Sequence, residues 1–296
     1  MQKDTPDFTN WLLLGLLTVI WGSSYILIKK ALIAYTPVEV GLLRLSLSFI
    51  ASSPFLFVAL RKIKFKLYPR ILIVGLLGTG IPVFLFAFST TKINSSINGI
   101  INSLSPLFTV ITGIFFFGTQ ITRIKWLGVL MGFMGAFVLV VGRYGFDLGL
   151  SAYALLSVLA TFCYGTNSNF VKHYFPKVSA LQVTALAMFF MGLPALLLAI
   201  SMGLPAKVMS APQALYSFSG ILFLAVFGTV IAWLIFYKLV QRTDALFAAS
   251  VTYLIPLVAI LLGLLDGETF RPVQGIGVVL ILGGVYFVGK KVNTSS

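Results

Sequence analysis

The chain has 296 residues, 59% hydrophobic and 9% charged, with a net charge of +14. A soluble domain carries about 25% charged residues, so lipid rather than water must solvate most of this surface. The positive charge would suit nucleic acid in a soluble protein. Here the basic residues sit between long apolar runs, as membrane loops place them, which excludes a nucleic-acid partner and makes the lipid bilayer the expected one.

Ten apolar segments follow in chain order: 11–28, 38–60, 71–89, 96–117, 125–142, 150–171, 179–202, 215–238, 245–265 and 273–289. Each approaches the roughly 20 residues that a spanning helix needs. The first has no small-residue cleavage site after it and reads as a retained helix. The connections are short, leaving no room for a soluble domain. Cys163, the single cysteine, lies inside an apolar run, so no intramolecular disulfide forms and the redox compartment stays unread.

Lys and Arg divide unevenly. Fourteen fall on the side of both termini, including Arg61, Lys62, Lys64, Lys66 and Arg70, and six on the other, while Arg44 lies within a span. This bias predicts cytoplasmic termini in the inner or plasma membrane.

The chain repeats itself. Gly78-Thr79, Ile81 and Phe86 match Gly228-Thr229, Ile231 and Phe236 at an offset of 150, as do Leu104, Pro106 and Leu107 with Leu254, Pro256 and Leu257. Trp21-Gly22 and Lys29 match Tyr164-Gly165 and Lys172 at 143, and Gly128-Val129 matches Gly277-Val278 at 149. Residues 1–145 and 146–296 therefore each hold five segments. Tandem copies with an odd count insert in opposite orientations. The predicted fold is an all-α membrane protein of ten transmembrane helices in two inverted five-helix repeats, an architecture that supports alternating access.

Trp21-Gly22-Ser23-Ser24, Pro37 followed by Arg44, Leu104-Ser105-Pro106 and Gly267-Glu268 before Gly277 resemble the EamA-type carriers of the drug/metabolite transporter superfamily. The resemblance covers nearly the whole chain. It implies ten helices around a central cavity and transport of small metabolites, often outward. One departure is that Thr119 stands where the first half should match Glu268.

Arg44 is the ionisable residue set well inside a predicted span. A charge at that depth costs roughly 2.5–3.5 kcal/mol on insertion scales unless it meets water or a partner. It reads either as a contact for a carboxylate on the solute or as a structural Arg bonding carbonyls near a helix end. The fourth segment carries Asn94, Asn98, Asn102, Ser105 and Thr109 on one face. Pro106 frees the Asn102 carbonyl, and the stripe reads as cavity lining ahead of interhelical bonding. Its counterpart is plainer, with Asp244, Ala248 and Thr252.

Trp21, Ser24 and Tyr25 on the first segment, Tyr164, Asn167 and Ser168 on the sixth, and Trp233 and Phe236 on the eighth mix rings with polar groups, as sites for amphipathic solutes do. Tyr253 on the ninth is counted with them. Trp11 reads as interfacial belt. Gly128, Gly132 and Gly284 suggest close helix packing, with a weak homodimer as an alternative to a monomer. No catalytic cluster, metal cluster or cofactor motif is present, so a small-molecule carrier without cofactor or metal is expected rather than an enzyme. No carboxylate lies deep in a span: Val19 and Phe162 hold the positions where the related four-helix exporters would place one, which argues against proton coupling of that kind. The expected activity is export of amino acids or related solutes by alternating access, with a uniporter or channel-like facilitator as the second reading and a membrane-embedded transferase as the third.

Overall fold

The computed structural model describes residues 6–93, 95–144, 152–210, 212–265 and 272–290. Asn94 and the Gly267-Glu268 pair lie outside them. Every regular element among the described residues is helical.

Local chemistry sets the helix ends. The Asp7 carboxylate accepts the Asn10 amide and starts α1 (Phe8–Ala31). Thr36 and Glu39 cap each other at the start of α2 (Pro37–Lys62), with Pro37 in its first turn. The third predicted segment is α3 (Tyr68–Gly75) and α4 (Ile81–Thr90), joined through a π-helical turn at Leu76–Gly80. The fourth is broken at Ser103-Leu104 into α5 (Ser95–Asn102) and α6 (Ser105–Phe117), just before Pro106. Gly118, at φ 61°, ends α6 in the left-handed conformation that glycine adopts without strain. α7 (Arg123–Tyr144) follows.

The order then recurs. α8 (Ala152–Tyr174) and α9 (Ala180–Ser201) are followed by the short α10 (Leu204–Val208). α11 (Pro212–Ala225) and α12 (Ala232–Arg242) are joined by a second π-helical turn, Val226–Ile231. The two π turns fall 150 residues apart, each holding one Gly-Thr pair of the repeat. α13 (Ala245–Ala249), α14 (Val251–Leu265) and α15 (Pro272–Gly289) complete the chain.

Among the described residues, five rods are long and apolar enough to cross a membrane: Phe8–Ala31, Pro37–Lys62, Phe65–Thr90, Ala180–Ser201 and Pro212–Arg242. Ser105–Phe117, Ala245–Val258 and Gly275–Gly289 are shorter apolar helices. The fourth segment is shortened by its break, which divides an apolar run into two helices. The chain is a multi-pass membrane protein.

Packing follows the repeat. α1 lies on α14 as α8 lies on α6, and α1 on α11 and α12 as α8 lies on α4. α2 meets α11 as α9 meets α3, while α2–α9 and α7–α15 pair counterparts directly. Exchanging the halves thus maps these contacts onto one another. The α7–α15 seam shows why glycine is needed: a Cβ on Gly128 would sit 2.8 Å from the Gly284 carbonyl, and one on Gly284 2.5 Å from the Gly132 amide. These small residues are used inside the chain. The start of α1 and the end of α15 lie at one end of the bundle, where the Trp11 ring packs 5.0 Å from Phe247, Gly289 adjoins both, and Arg242 pairs with Asp7 at 3.1 Å.

Candidate functional site

A cavity of about 60 Å³ lies where α1, α2, α4, α8, α12 and the breaks beside α5 and α14 converge. At roughly 10–15 Å³ per enclosed water, it has room for a handful of waters or a small solute group. α1 supplies Trp21, Ser24 and Tyr25, α2 supplies Arg44, and the helix break supplies Asn102 and Ser105. Tyr164 and Ser168 come from α8, Trp233 and Phe236 from α12, and Thr252 from α14.

Arg44 is only 9% exposed. Its Nε donates to Thr229 Oγ1 at 2.8 Å and its Nη2 to the Gly228 carbonyl at 3.3 Å. The Thr229 hydroxyl in turn donates to the Leu224 carbonyl at 2.9 Å, and Trp21 Nε1 donates to the Gly228 carbonyl at 3.2 Å. The π turn makes this possible, because a widened turn leaves backbone groups for outside partners. Two of the guanidinium's five donors are thereby used. Among the described residues no carboxylate pairs with it: Glu39 is held by Lys207 at 2.8 Å, Asp244 by Lys125 at 2.6 Å, and Asp7 by Arg242.

Aromatic rings form a connected wall. Tyr25 lies 5.9 Å from Phe86, Phe86 5.8 Å from Tyr164, and Tyr164 5.7 Å from Trp233. Trp233 continues to Phe236 at 5.3 Å and to Trp21 at 5.6 Å. Such faces attract apolar groups by burial and cations through the ring quadrupole.

Eight of the eleven residues singled out in the sequence line this cavity: Trp21, Ser24, Tyr25, Arg44, Asn102, Tyr164, Trp233 and Phe236. Asn98, Asn167 and Tyr253 lie elsewhere. Asn98 Oδ1 accepts from Ser89 at 2.8 Å and lies 2.5 Å from the Ser157 hydroxyl, while its Nδ2 donates to Thr90 at 3.2 Å. It ties three helices together because the stripe is interrupted at Ser103-Leu104, and the two sides of a break no longer share one face. Asn167 donates to the Tyr237 hydroxyl at 3.2 Å, beside Gly78. Tyr253 bonds the Val129 carbonyl at 2.8 Å with its ring against Gly132. Phe86 and Gly228 are among the further residues of the cavity wall that were not singled out as site residues. The repeat held the signal for Phe86, the counterpart of Phe236. No group of His, Cys, Asp and Glu suited to a metal ion occurs among the described residues.

The comparisons with known proteins agree with this architecture. The EamA-like transporter family model matches residues 9–141 and again 151–290. An uncharacterized transporter of Archaeoglobus fulgidus is 27% identical over 287 residues, 95% of this chain and 99% of that one. A protein of Salmonella typhimurium named "Probable amino-acid metabolite efflux pump" is 25% identical over 92% of this chain and 91% of its own. An inner membrane transporter of Escherichia coli K12 is 26% identical over 92% of this chain and 88% of its own. A solved crystal structure superposes with a TM-score of 0.71, covering 95% of this chain and 96% of that one at 17% identity, which shows the shared fold. With nearly its whole length covered by two consecutive matches to one family model, the chain belongs to the EamA-like transporter family.

Proposed function

We propose that this membrane transporter exports amino acids or closely related small carboxylates, one solute at a time, through the cavity around Arg44. The carrying observation is a buried guanidinium with unused donors, no described carboxylate beside it, and an aromatic wall around it. A cation so placed favours an anionic group in the cavity, and its planar fork suits a carboxylate. The rings receive the rest of the solute. Export accords with the name of the Salmonella typhimurium relative.

In this reading the chain crosses the membrane ten times, with its halves inverted and both termini in the cytoplasm. The shared position of Trp11 and Gly289 at one end of the bundle supports an even number of crossings. The inverted halves exchange conformations, so the cavity opens to one side and then the other.

The test is efflux from proteoliposomes preloaded with labelled amino acids or with their amides. Saturable efflux of the acids, well above that of the amides, is expected. Equal efflux of both would refute a carboxylate site, and no efflux of any solute tested would refute the carrier.

A further inference from the structure

The two ends of the bundle differ where the repeat says they should match. Aligning α1 on α8 at an offset of 143 pairs Lys29 with Lys172, Leu32 with Phe175 and Tyr35 with Val178. Aligning α4 on α12 at 150 pairs Thr91 with Gln241 and Ile93 with Thr243. These residues occupy the same places in their halves, at opposite ends of the molecule.

At the end that carries Asp7 and Gly289 the set is joined. Lys172 Nζ donates to the carbonyls of Thr243 and, at 3.4 Å, Gln241, at the C-terminus of α12. A cation is favoured there, because the last carbonyls of a helix lack intrahelical partners and carry partial negative charge. Gln241 Nε2 returns the connection, donating to the carbonyls of Phe175 at 2.7 Å and Val178 at 2.8 Å. The end of α8 is thus fastened to the end of α12.

At the opposite end the counterparts are apart. Lys29 is exposed and makes no hydrogen bond or ion pair with a described residue. The Thr91 hydroxyl turns back on the Phe88 carbonyl of its own helix at 2.7 Å. Lys29, Leu32, Tyr35 and Thr91 instead stand around an open pocket of about 800 Å³. One half is fastened and the other is parted, with a lysine in each ready to bridge the same two elements.

We propose that Lys172 and Lys29 are alternating latches of the transport cycle. Lys172 closes the end carrying Asp7 and Gly289 in this conformation. In the opposite conformation Lys29 closes on the carbonyls of Thr91 and Ile93 while Lys172 releases. This rests on the inverted-repeat carrier reading, in which each half adopts in turn the conformation the other now holds. The halves are not equal latches: Gln241 reaches across to α8, whereas Thr91 is too short to do so, which biases the protein toward the conformation seen here.

The test uses the full chain with Cys163→Ala and a single reporter, Thr252→Cys, in the cavity. A membrane-impermeant thiol reagent is applied from either side of oriented vesicles, and the ratio of labelling from the far side to labelling from the termini side is read. Loss of a charged hydrogen bond moves a two-state equilibrium roughly tenfold or more. Lys172→Met is therefore expected to lower the ratio about tenfold, Lys172→Arg to retain it, and Lys29→Met to restore it in the Lys172→Met background. Gln241→Leu is expected to lower the ratio as well, and carries the test if Lys172→Met does not fold. Solute flux by the unmutated chain is measured in parallel. Flux with a ratio unmoved by Lys172→Met and Gln241→Leu overturns the latch alone. A shifted ratio with no flux overturns the carrier reading and supports Lys172 as a latch between two conformations that move no solute.

Discussion

Arg44→Lys changes the geometry of the cavity cation without changing its charge. The guanidinium holds Thr229 Oγ1 and the Gly228 carbonyl with two donors and keeps three others for a ligand. An ammonium concentrates its three donors at one point. It cannot anchor to the π turn and also present a two-pronged face to a carboxylate, so at least one charged hydrogen bond to the solute is lost. Such a bond contributes roughly 1.5–3 kcal/mol, which at 1.4 kcal/mol per factor of ten is roughly a 10- to 150-fold rise in KM for carboxylate solutes. The chain should still fold, because a cation remains to meet the Gly228 carbonyl. The assay compares flux of an amino acid with that of its amide, using purified variant and unmutated chain in proteoliposomes at matched folded yield. A large KM increase for the acid with little change for the amide is expected. Equal losses for both would mean that Arg44 serves the π turn and the gating, and that its assignment to the solute carboxylate is wrong.

Other perturbations separate cavity from scaffold. Asn102→Leu should reduce transport severalfold at near-normal folded yield, since Asn102 lines the cavity; unchanged flux would remove it from the solute path. Asn98→Leu should instead lower thermal stability, because it strips acceptor and donor from Ser89, Ser157 and Thr90, at about 1–3 kcal/mol for each buried group left unpaired; transport loss without a stability change would place Asn98 on the path after all. Gly128→Leu should sharply reduce folded yield, since even its Cβ would lie 2.8 Å from the Gly284 carbonyl on α15. Cysteines placed between Lys62 and Lys66 should label from the cytoplasmic side, and labelling only from outside would reverse the proposed orientation.

The helices and their duplication were legible because lipid imposes long apolar runs and the two halves kept the same landmarks: Gly-Thr, Phe86 with Phe236, and Trp21-Gly22 with Tyr164-Gly165. Most of the cavity was legible for a related reason, since polar groups and large rings deep in apolar runs need a shared place to meet. The sequence pattern could not show that Gly78-Thr79 and Gly228-Thr229 sit in π turns, nor that Arg44 would meet the second of them. Nor could helical spacing alone divide Asn98 from Asn102: it presumes one straight helix, and the chain breaks between them. Asn167 and Tyr253 carry the same residue types as the cavity wall, yet their partners, Tyr237 and Val129, come from distant parts of the chain. The latch was half visible as the Lys29–Lys172 pair, but which of the two is engaged is a property of the conformation.

The most direct test of a cavity that alternates between two sides is counterflow. Proteoliposomes holding the purified chain are preloaded with an unlabelled amino acid, and uptake of the same labelled amino acid from outside is followed. Alternating access predicts saturable uptake, accelerated by solute inside and overshooting equilibrium before it decays. Uptake that rises linearly with concentration and ignores the solute inside would contradict it, and would indicate a channel open to both sides at once.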